Sequence, residues 1–170
     1  MGGSPPTPCR PCRLCRLCRP YLSPMRPVSI TYSGTVGVPI DEVFELLTDP
    51  TRMPDWLPGC RAAVPGPNRR GKGDRHRLTF DRQGRKIDTV IEIIEYHAPT
   101  SFGWVEIIHR RGSKTFFKLE FRGGSTHITM KHVWTPATWR AWLLGQFYRR
   151  RNAHRTFDGL LQNLRKALTR

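Results

Sequence analysis

Four ionisable residues have the types and positions to carry acid–base chemistry: His76, Glu106, His132 and His154. Each falls on the apolar side of a predicted strand or helix, so each is expected to face the interior. A histidine paired with a carboxylate in an apolar cavity can exchange a proton with a carbonyl-containing substrate, which would support cyclisation or dehydration. We favour a structural interpretation, in which each residue lies at a cavity rim or satisfies a buried hydrogen bond.

The cysteines offer the other candidate chemistry. Four of the five form a three-residue repeat in which an arginine follows each thiol: Cys9, Cys12, Cys15 and Cys18. The spacing is close to that of a bacterial iron–sulfur site, but the apolar shell that such thiolates need is lacking. We therefore expect residues 1–24 to be a disordered tail, with Met25 as an alternative start of translation. The fifth cysteine, Cys60, is expected to be a small buried or loop residue rather than a nucleophile.

Beyond these residues the sequence offers no recognisable cofactor site. No group of histidine, cysteine and carboxylate residues has metal-ligand spacing. The glycines at 71 and 73 flank a lysine but lack the strand–loop–helix context of a phosphate-binding loop. We therefore expect neither a metal nor a cofactor.

The chain is strongly basic, with a net charge of +16. Four of its 29 lysines and arginines lie in the tail, which leaves 25 against 13 acidic residues and a net charge of +12. A basic surface favours RNA, ribosomes or anionic membranes as partners. The charges cluster at residues 69–72, 109–111 and 149–151. No nucleic-acid recognition motif accompanies them, and a run of charges is usually a solvated face.

The elements that would position these groups follow a simple order. An alternating run at residues 28–38 predicts a strand. Two short helices come next, the first beginning at Pro39 and the second capped by Asp49. Five or so alternating runs fill residues 72–134, and an amphipathic helix over residues 137–168 closes the chain.

This order predicts a single α+β domain over residues 25–170, with a curved antiparallel sheet around the final helix. Such an arrangement leaves a space between sheet and helix where an apolar ligand can bind. Both faces of the run 86–97 are rich in isoleucine, so its inward face is not assigned, and neither is that of the run 102–109. The predicted ligand-binding residues are Trp56, Leu78, Phe80, Trp104, Glu106, Phe117, Leu119, Phe121, Met130, His132, Trp134, Trp142, Leu143, Phe147 and His154.

Residues 139–151 combine tryptophans with an arginine cluster, a composition typical of a helix that lies on a membrane surface. Exchange of a ligand with a membrane would use such a surface. The alternative is a core helix whose first turns cover the pocket, and the apolar stripe favours this alternative. A peripheral membrane contact is therefore a secondary hypothesis.

The sequence resembles the START-like (SRPBCC) helix-grip superfamily, which includes Bet v 1 proteins and bacterial polyketide cyclases. The resemblance covers residues 28–168 and rests on three stretches: VPIDEVF at 38–44, LTDP at 47–50 and WLPGC at 56–60. It implies a helix-grip fold with a cavity between the sheet and the long helix. Members of this superfamily bind lipids, quinones, hormones or polyketides and share no catalytic motif, so the resemblance carries over no catalytic residue.

The sequence therefore predicts a protein that binds a hydrophobic small molecule, such as a lipid, a quinone or a polyketide. The first alternative is a cyclase or dehydratase that uses the histidines and Glu106 as acid and base. The second is a basic protein associated with RNA or the ribosome. No run of residues reaches the roughly 20 apolar positions of a membrane-spanning helix, and the front segment lacks the features of a secretory signal. We therefore expect a cytoplasmic location, and the sequence does not indicate an oligomeric state.

Overall fold

A computed structural model describes residues 27–67, 71–82, 84–108, 112–136, 138, 143 and 150–169, with only the backbone described for residues 150–152. The predicted tail of residues 1–24 lies outside these ranges. The described elements are β1 (Val28–Val36), α1 (Ile40–Thr48), a 3₁₀ turn (Pro50–Arg52), α2 (Met53–Trp56), β2 (Cys60–Val64), β3 (Arg75–Arg82), β4 (Arg85–His97), β5 (Ser101–Glu106), β6 (Lys114–Arg122), β7 (Ser125–Trp134) and α3 (Arg150–Leu168).

The strands form one curved antiparallel sheet in the order β1-β7-β6-β5-β4-β3-β2. Two register shifts interrupt the ladders, one between Cys60 and Ala62 of β2 and one between Ile93 and Glu95 of β4. Such irregularities bend and twist a strand locally. Together with the C-terminal helix, the sheet confirms the predicted α+β helix-grip fold.

Helical turns follow β1, as the sequence predicts, although α1 begins at Ile40 with Pro39 as the residue before it. Helix α1 carries Asp41 and Glu42 in its first turn, where negative charge complements the helix dipole. The Asp49 carboxylate caps the following 3₁₀ turn by accepting hydrogen bonds from the Thr51 N–H at 2.9 Å and the Thr51 hydroxyl at 2.6 Å. Pro50 is the first residue of that turn, where its missing N–H costs no hydrogen bond.

Two predicted boundaries were wrong, and one strand was missed. Strand β1 ends at Val36 rather than at residue 38, where the chain already bends toward α1. Strand β5 ends at Glu106 rather than at residue 109, and residues 109–111 are outside the described ranges. The short strand β2 was not predicted, because most of its five residues are partly or fully exposed and do not alternate. Of the predicted helix over 137–168, the structure describes Thr138, which is a bend residue, Leu143 and α3; the other residues before 150 lie outside the described ranges.

Helix α3 packs directly against the edge strand β1. Phe157, Leu161 and Leu164 are buried, as their helical spacing predicts. A Cβ atom added at Gly34 of β1 would clash with Leu161 Cδ1, so the absence of a side chain at Gly34 lets the helix approach the sheet. The Arg165 guanidinium donates to the Thr35 carbonyl at 2.9 Å and ties the end of the helix to the same strand.

Cys60 is the first residue of β2 and is buried, as expected for a small core residue. Burial raises the pKa of its thiol to about 11, although a backbone hydrogen bond with Ala62 opposes part of the shift. The thiolate, which is the reactive form, is therefore scarce at neutral pH. Among the described residues, no helix is both long and apolar enough to cross a membrane.

His76 is a buried structural residue of β3, with 1% of its surface exposed. Its Nδ1 atom accepts a hydrogen bond from the Gly66 N–H at 3.0 Å, which ties the loop after β2 to the sheet. Burial lowers the pKa of the imidazole below its ordinary value of 6.5, and the nearby Asp74 charge only partly offsets this. The folded protein therefore holds His76 neutral.

The contact between Gly34 and Leu161 predicts a non-additive pair of substitutions. Gly34→Ala should destabilise the fold by about 1–3 kcal/mol through overpacking, and Leu161→Ala by about 2–5 kcal/mol through lost burial. In the double variant Leu161 no longer clashes with the new methyl group, so the combined loss should fall at least about 1 kcal/mol short of the sum. Urea unfolding measures all three values.

The control for this pair is Gly37→Ala, because a Cβ atom added at Gly37 meets nothing within 4 Å. Its free energy of unfolding should stay within about 0.5 kcal/mol of wild type. Strictly additive losses for Gly34→Ala and Leu161→Ala would contradict direct packing of α3 on β1.

The buried, neutral His76 predicts that stability falls in mild acid. Well above pH 6.5 the imidazole is neutral in both states, so its contribution to stability is fully present there. Below that pH the unfolded chain takes up a proton that folded His76 resists, and the free energy of unfolding decreases. His76→Asn keeps an acceptor for the Gly66 N–H but does not titrate, so its stability should vary less between pH 7.5 and 5.

Urea unfolding at several pH values tests this, with the exposed His97→Asn as the matched control. The control should keep the wild-type pH dependence. An equal pH dependence for His76→Asn and wild type would rule out His76 as a source of the acid sensitivity.

Candidate functional site

A cavity of about 700 Å³ lies between the concave face of the sheet, the turn at residues 57–59 and the first half of α3. Its volume is within the range of about 300–1,000 Å³ that is usual for small-molecule sites. The apolar lining residues are Ile30, Tyr32, Leu57, Pro58, Leu78, Phe80, Ile87, Ile91, Trp104, Phe117, Met130, Trp134, Ala153 and Leu160. The polar ones are Asp81, Arg82, Thr89, Glu106, Thr115, His132, Arg155 and Thr156.

The register of the central strands arranges part of this lining in rows across the sheet. In one row, Thr115 of β6 stands between Trp104 of β5 and His132 of β7. In the next row, Phe117 stands opposite Met130. Directly opposed residues share a face of the sheet. The polar residues Thr115 and His132 of the first row therefore border the apolar pair of the second row.

Two hydroxyl groups hold the His132 ring. Its Nδ1 atom lies 3.0 Å from Thr115 Oγ1, and its Nε2 atom lies 3.2 Å from Ser113 Oγ. The ring also stacks on Trp134, with 5.7 Å between ring centroids and 28° between planes. Both nitrogens and one face are thus engaged, so the orientation of the ring is defined.

Glu106 enters the cavity at the end of β5. It stands opposite Ile91 of β4, and its backbone N–H donates to the Ser113 carbonyl at 2.8 Å. Thr89, two residues from Ile91 along β4, donates its hydroxyl to the Ile108 carbonyl at 2.8 Å. Four polar residues therefore lie near the point where β5 ends and β6 begins: Thr89, Glu106, Thr115 and His132.

Aromatic rings form the floor beneath this cavity. Trp56 of α2 is fully buried and meets Phe117 edge to face, with 5.9 Å between centroids. Trp104 lies 5.5 Å from Phe117 and 5.6 Å from Phe102. Ring pairs at these separations attract one another beyond their burial of area, so the floor is a packed unit.

Of the predicted ligand-binding residues, eight line the cavity: Leu78, Phe80, Trp104, Glu106, Phe117, Met130, His132 and Trp134. Trp56 and Leu119 are buried behind the wall rather than in it. His76 is buried in β3 and is not part of the lining. Trp142 and Phe147 lie outside the described residues.

Three further predicted residues do not face the cavity. Phe121 is 53% exposed, because the pairing of β5 with β6 ends at Lys118 and no strand flanks Phe121 on that side. Leu143 is 48% exposed. His154 is exposed on α3 and meets the Tyr32 ring edge to face, with 4.4 Å between centroids.

Several lining residues were missed by sequence reasoning. Alternation along β6 predicts Thr115 on the same inward face as Phe117, but Thr115 was not included among the predicted ligand-binding residues. The alternation of β4 could not assign Thr89 and Ile91, because isoleucines occupy both faces of that strand. Tyr32 of β1 and Leu160 of α3 follow apolar stripes, but only tertiary packing separates lining from core.

The basic clusters cannot be assembled into one face from the described part of the chain. Residues 69, 70, 110, 111 and 149 lie outside it, as do the side chains of residues 150 and 151. Lys72 is described and exposed. The predicted membrane-surface helix at residues 139–151 is likewise outside the described ranges except for Leu143 and the backbone of residues 150 and 151. Within the described residues, no group of three or more His, Cys, Asp or Glu side chains could hold a metal ion.

Several solved structures have a fold similar to that of this chain. The Zhui aromatase/cyclase from Streptomyces sp. R1128 superposes with a TM-score of 0.68 at 16% identity, over 85% of this chain and 95% of that one. A START superfamily protein from Mycobacterium smegmatis gives 0.64 at 14% identity, over 83% and 97%. The protein TTHA0849 from Thermus thermophilus gives 0.67 at 14% identity, over 84% and 97%. At such identities the likeness is one of fold alone.

The sequence itself identifies the family. No curated protein sequence matches the chain significantly. A family model described as "Polyketide cyclase / dehydrase and lipid transport" matches residues 27–169, which include every described strand and helix from β1 to α3. The chain therefore belongs to the polyketide cyclase/dehydrase and lipid transport family, within the START-like (SRPBCC) superfamily.

Proposed function

We propose that this protein binds a hydrophobic small molecule, such as a lipid, a quinone or a polyketide, in the cavity between the sheet and α3. The observation that carries the proposal is the cavity itself, with its volume of about 700 Å³ and a lining that is mostly apolar. A space of this size walled by Phe80, Trp104, Phe117 and Trp134 would be costly to hydrate.

The apolar walls supply the driving force for binding. Each 100 Å² of apolar ligand surface removed from water contributes about 2.5 kcal/mol. A ligand that buries about 300 Å² would gain about 7 kcal/mol before it pays for its lost motion. Rings such as Trp104 and Trp134 favour a flat ligand, because planar faces stack on them with little loss of entropy.

The rim of the cavity differs from its interior. Arg82 at the end of β3 and Arg155 on α3 are exposed members of the lining. Leu57 and Pro58 border the cavity from the turn after α2. A charged rim around an apolar interior favours amphipathic ligands whose apolar part enters first.

A bulky side chain on the helix wall should block binding. Ala153 is half-buried on α3 and lines the cavity. Ala153→Trp should weaken the binding of fluorene, used as a planar apolar probe, by at least about tenfold, because the indole occupies the space of the ligand. Equilibrium dialysis measures the affinity, and native mass spectrometry of protein from its own host shows whether a bound compound disappears.

The matched control is Gln162→Trp, which adds the same side chain to an exposed position of the same helix. It should bind fluorene like wild type. If wild type binds neither fluorene nor hexadecanol, an extended apolar probe, the proposed function is wrong. Equal affinities of Ala153→Trp and wild type for fluorene would show that fluorene binds outside this cavity.

The second candidate function is a cyclase or dehydratase reaction at the polar end of the same cavity. The observation that favours it is that Glu106 and His132 both line the cavity, on neighbouring rows of the sheet. A base there would remove a proton from a methylene group between two carbonyls. The resulting carbanion would attack a ketone within the same chain, and the alkoxide would take back the proton held by the base. The new hydroxyl would then leave as water together with a second proton from the same carbon that was deprotonated.

An aryl triketone that closes by aldol condensation tests this candidate through the absorbance of its aromatic product. If the protein is such an enzyme, Glu106→Gln should lower the rate by about 100-fold or more, since it keeps the shape but removes the base. Thr129→Val, on the outer face of β7, serves as the control and should leave the rate unchanged. Equal rates with and without wild-type protein would leave binding as the function.

A further inference from the structure

The two hydroxyl groups that flank His132 are buried and differ in their access to the cavity. Thr115 is 7% exposed and lines the cavity. Ser113 is 5% exposed and is not part of the lining. The imidazole therefore lies between one hydroxyl that faces the ligand space and one that stands behind it.

The hydrogen bonds of this cluster leave one of the two hydroxyl hydrogens without an acceptor in the ring. A neutral imidazole has one N–H donor and one acceptor nitrogen, so one hydroxyl must donate to the ring and the other must accept from it. If Ser113 donates to Nε2, then Nδ1–H donates to Thr115 Oγ1, at the observed 3.2 and 3.0 Å. In this arrangement the Thr115 hydroxyl hydrogen points away from the ring, and Trp104 and Phe117 are its apolar neighbours in the lining.

A buried O–H donor without an acceptor is costly, so the cavity is complementary to a ligand that supplies one. We propose that the Thr115 hydroxyl, oriented by Ser113 through His132, donates a hydrogen bond to a neutral carbonyl oxygen of the bound ligand. Thr115 binds the oxygen, and Ser113 and His132 are positioning residues. This inference rests on the proposed binding function and specifies the chemical class of the ligand: a planar apolar ketone or quinone.

The surroundings disfavour an anionic group at this position. Burying an anion requires a cation or several N–H donors. The arginines of the described lining, Arg82 and Arg155, are exposed at the rim. Glu106 also lines the cavity, and its carboxyl group does not favour a ligand carboxylate or phosphate beside it. A carbonyl oxygen can accept the hydrogen bond from the Thr115 hydroxyl, and it carries no net charge.

Trp104 places a flat ring beside the proposed donor. It stands directly opposite Thr115 in the sheet, and Ile30 stands opposite His132 on the other side. A planar ligand that lies along Trp104 would present oxygens at its edge to the Thr115 hydroxyl. Stacking and the hydrogen bond would then act on the same molecule.

Fluorene and fluorenone test the proposal, because they share one ring system and differ in a methylene group against a ketone. Wild type should bind fluorenone about fivefold more tightly than fluorene, the effect of one added hydrogen bond. Thr115→Val keeps the shape of the side chain but removes the donor, so the preference for fluorenone over fluorene should be lost. Equilibrium dialysis measures each affinity.

Two variants separate the proposed role from a general structural effect. Thr115→Ser restores the hydroxyl and should restore the preference for fluorenone. Ser113→Ala should reduce that preference, because the ring loses the partner that sets its tautomer. Thr129→Val, the same substitution on the outer face of β7, should keep the wild-type preference.

The outcomes distinguish this inference from the binding function. If wild type binds fluorene and fluorenone equally, or if Thr115→Val keeps the preference, the carbonyl site is overturned while cavity binding stands. If wild type binds neither probe, the carbonyl site fails together with planar-ligand binding. A preference lost in Thr115→Val and regained in Thr115→Ser supports the inference.

Discussion

The close approach of α3 to β1 at Gly34 is the contact on which the rest of the architecture depends. Because Gly34 has no side chain, Leu161 lies directly against the strand, and Arg165 holds the same strand through the Thr35 carbonyl. A straight helix cannot follow a twisted and bent sheet along its whole length. Contact at the C-terminal half of α3 therefore leaves space beside Ala153, and that space is the cavity.

The cavity combines apolar walls with a few polar groups whose positions are set by strand register. Thr115 and His132 stand opposite each other, and both are held by hydrogen bonds to side chains of neighbouring strands. Polar groups in an apolar space are costly unless they are paired. The pairing of His132 with two hydroxyls offsets most of that cost.

The order and faces of the central elements could be predicted because both depend on local periodicity. The inward residues Phe117, Met130 and Trp134 follow directly from alternation along β6 and β7. Alternation does not say whether anything covers a face, so Phe121 was expected inside but is exposed. Strand β2 was missed for a related reason, since an edge strand of five partly exposed residues has no apolar period to detect.

The sequence by itself determined the family fold, the two inward faces of β6 and β7, and the set of ionisable residues that could carry chemistry. Only the tertiary structure decided which of these residues share a site. His76 is buried where it binds the Gly66 N–H, His154 is exposed on α3, and Glu106 and His132 line the cavity. The physical reason is that periodicity along one strand is a local property. Proximity across strands depends on register and turns, which are set by contacts between residues far apart in the chain.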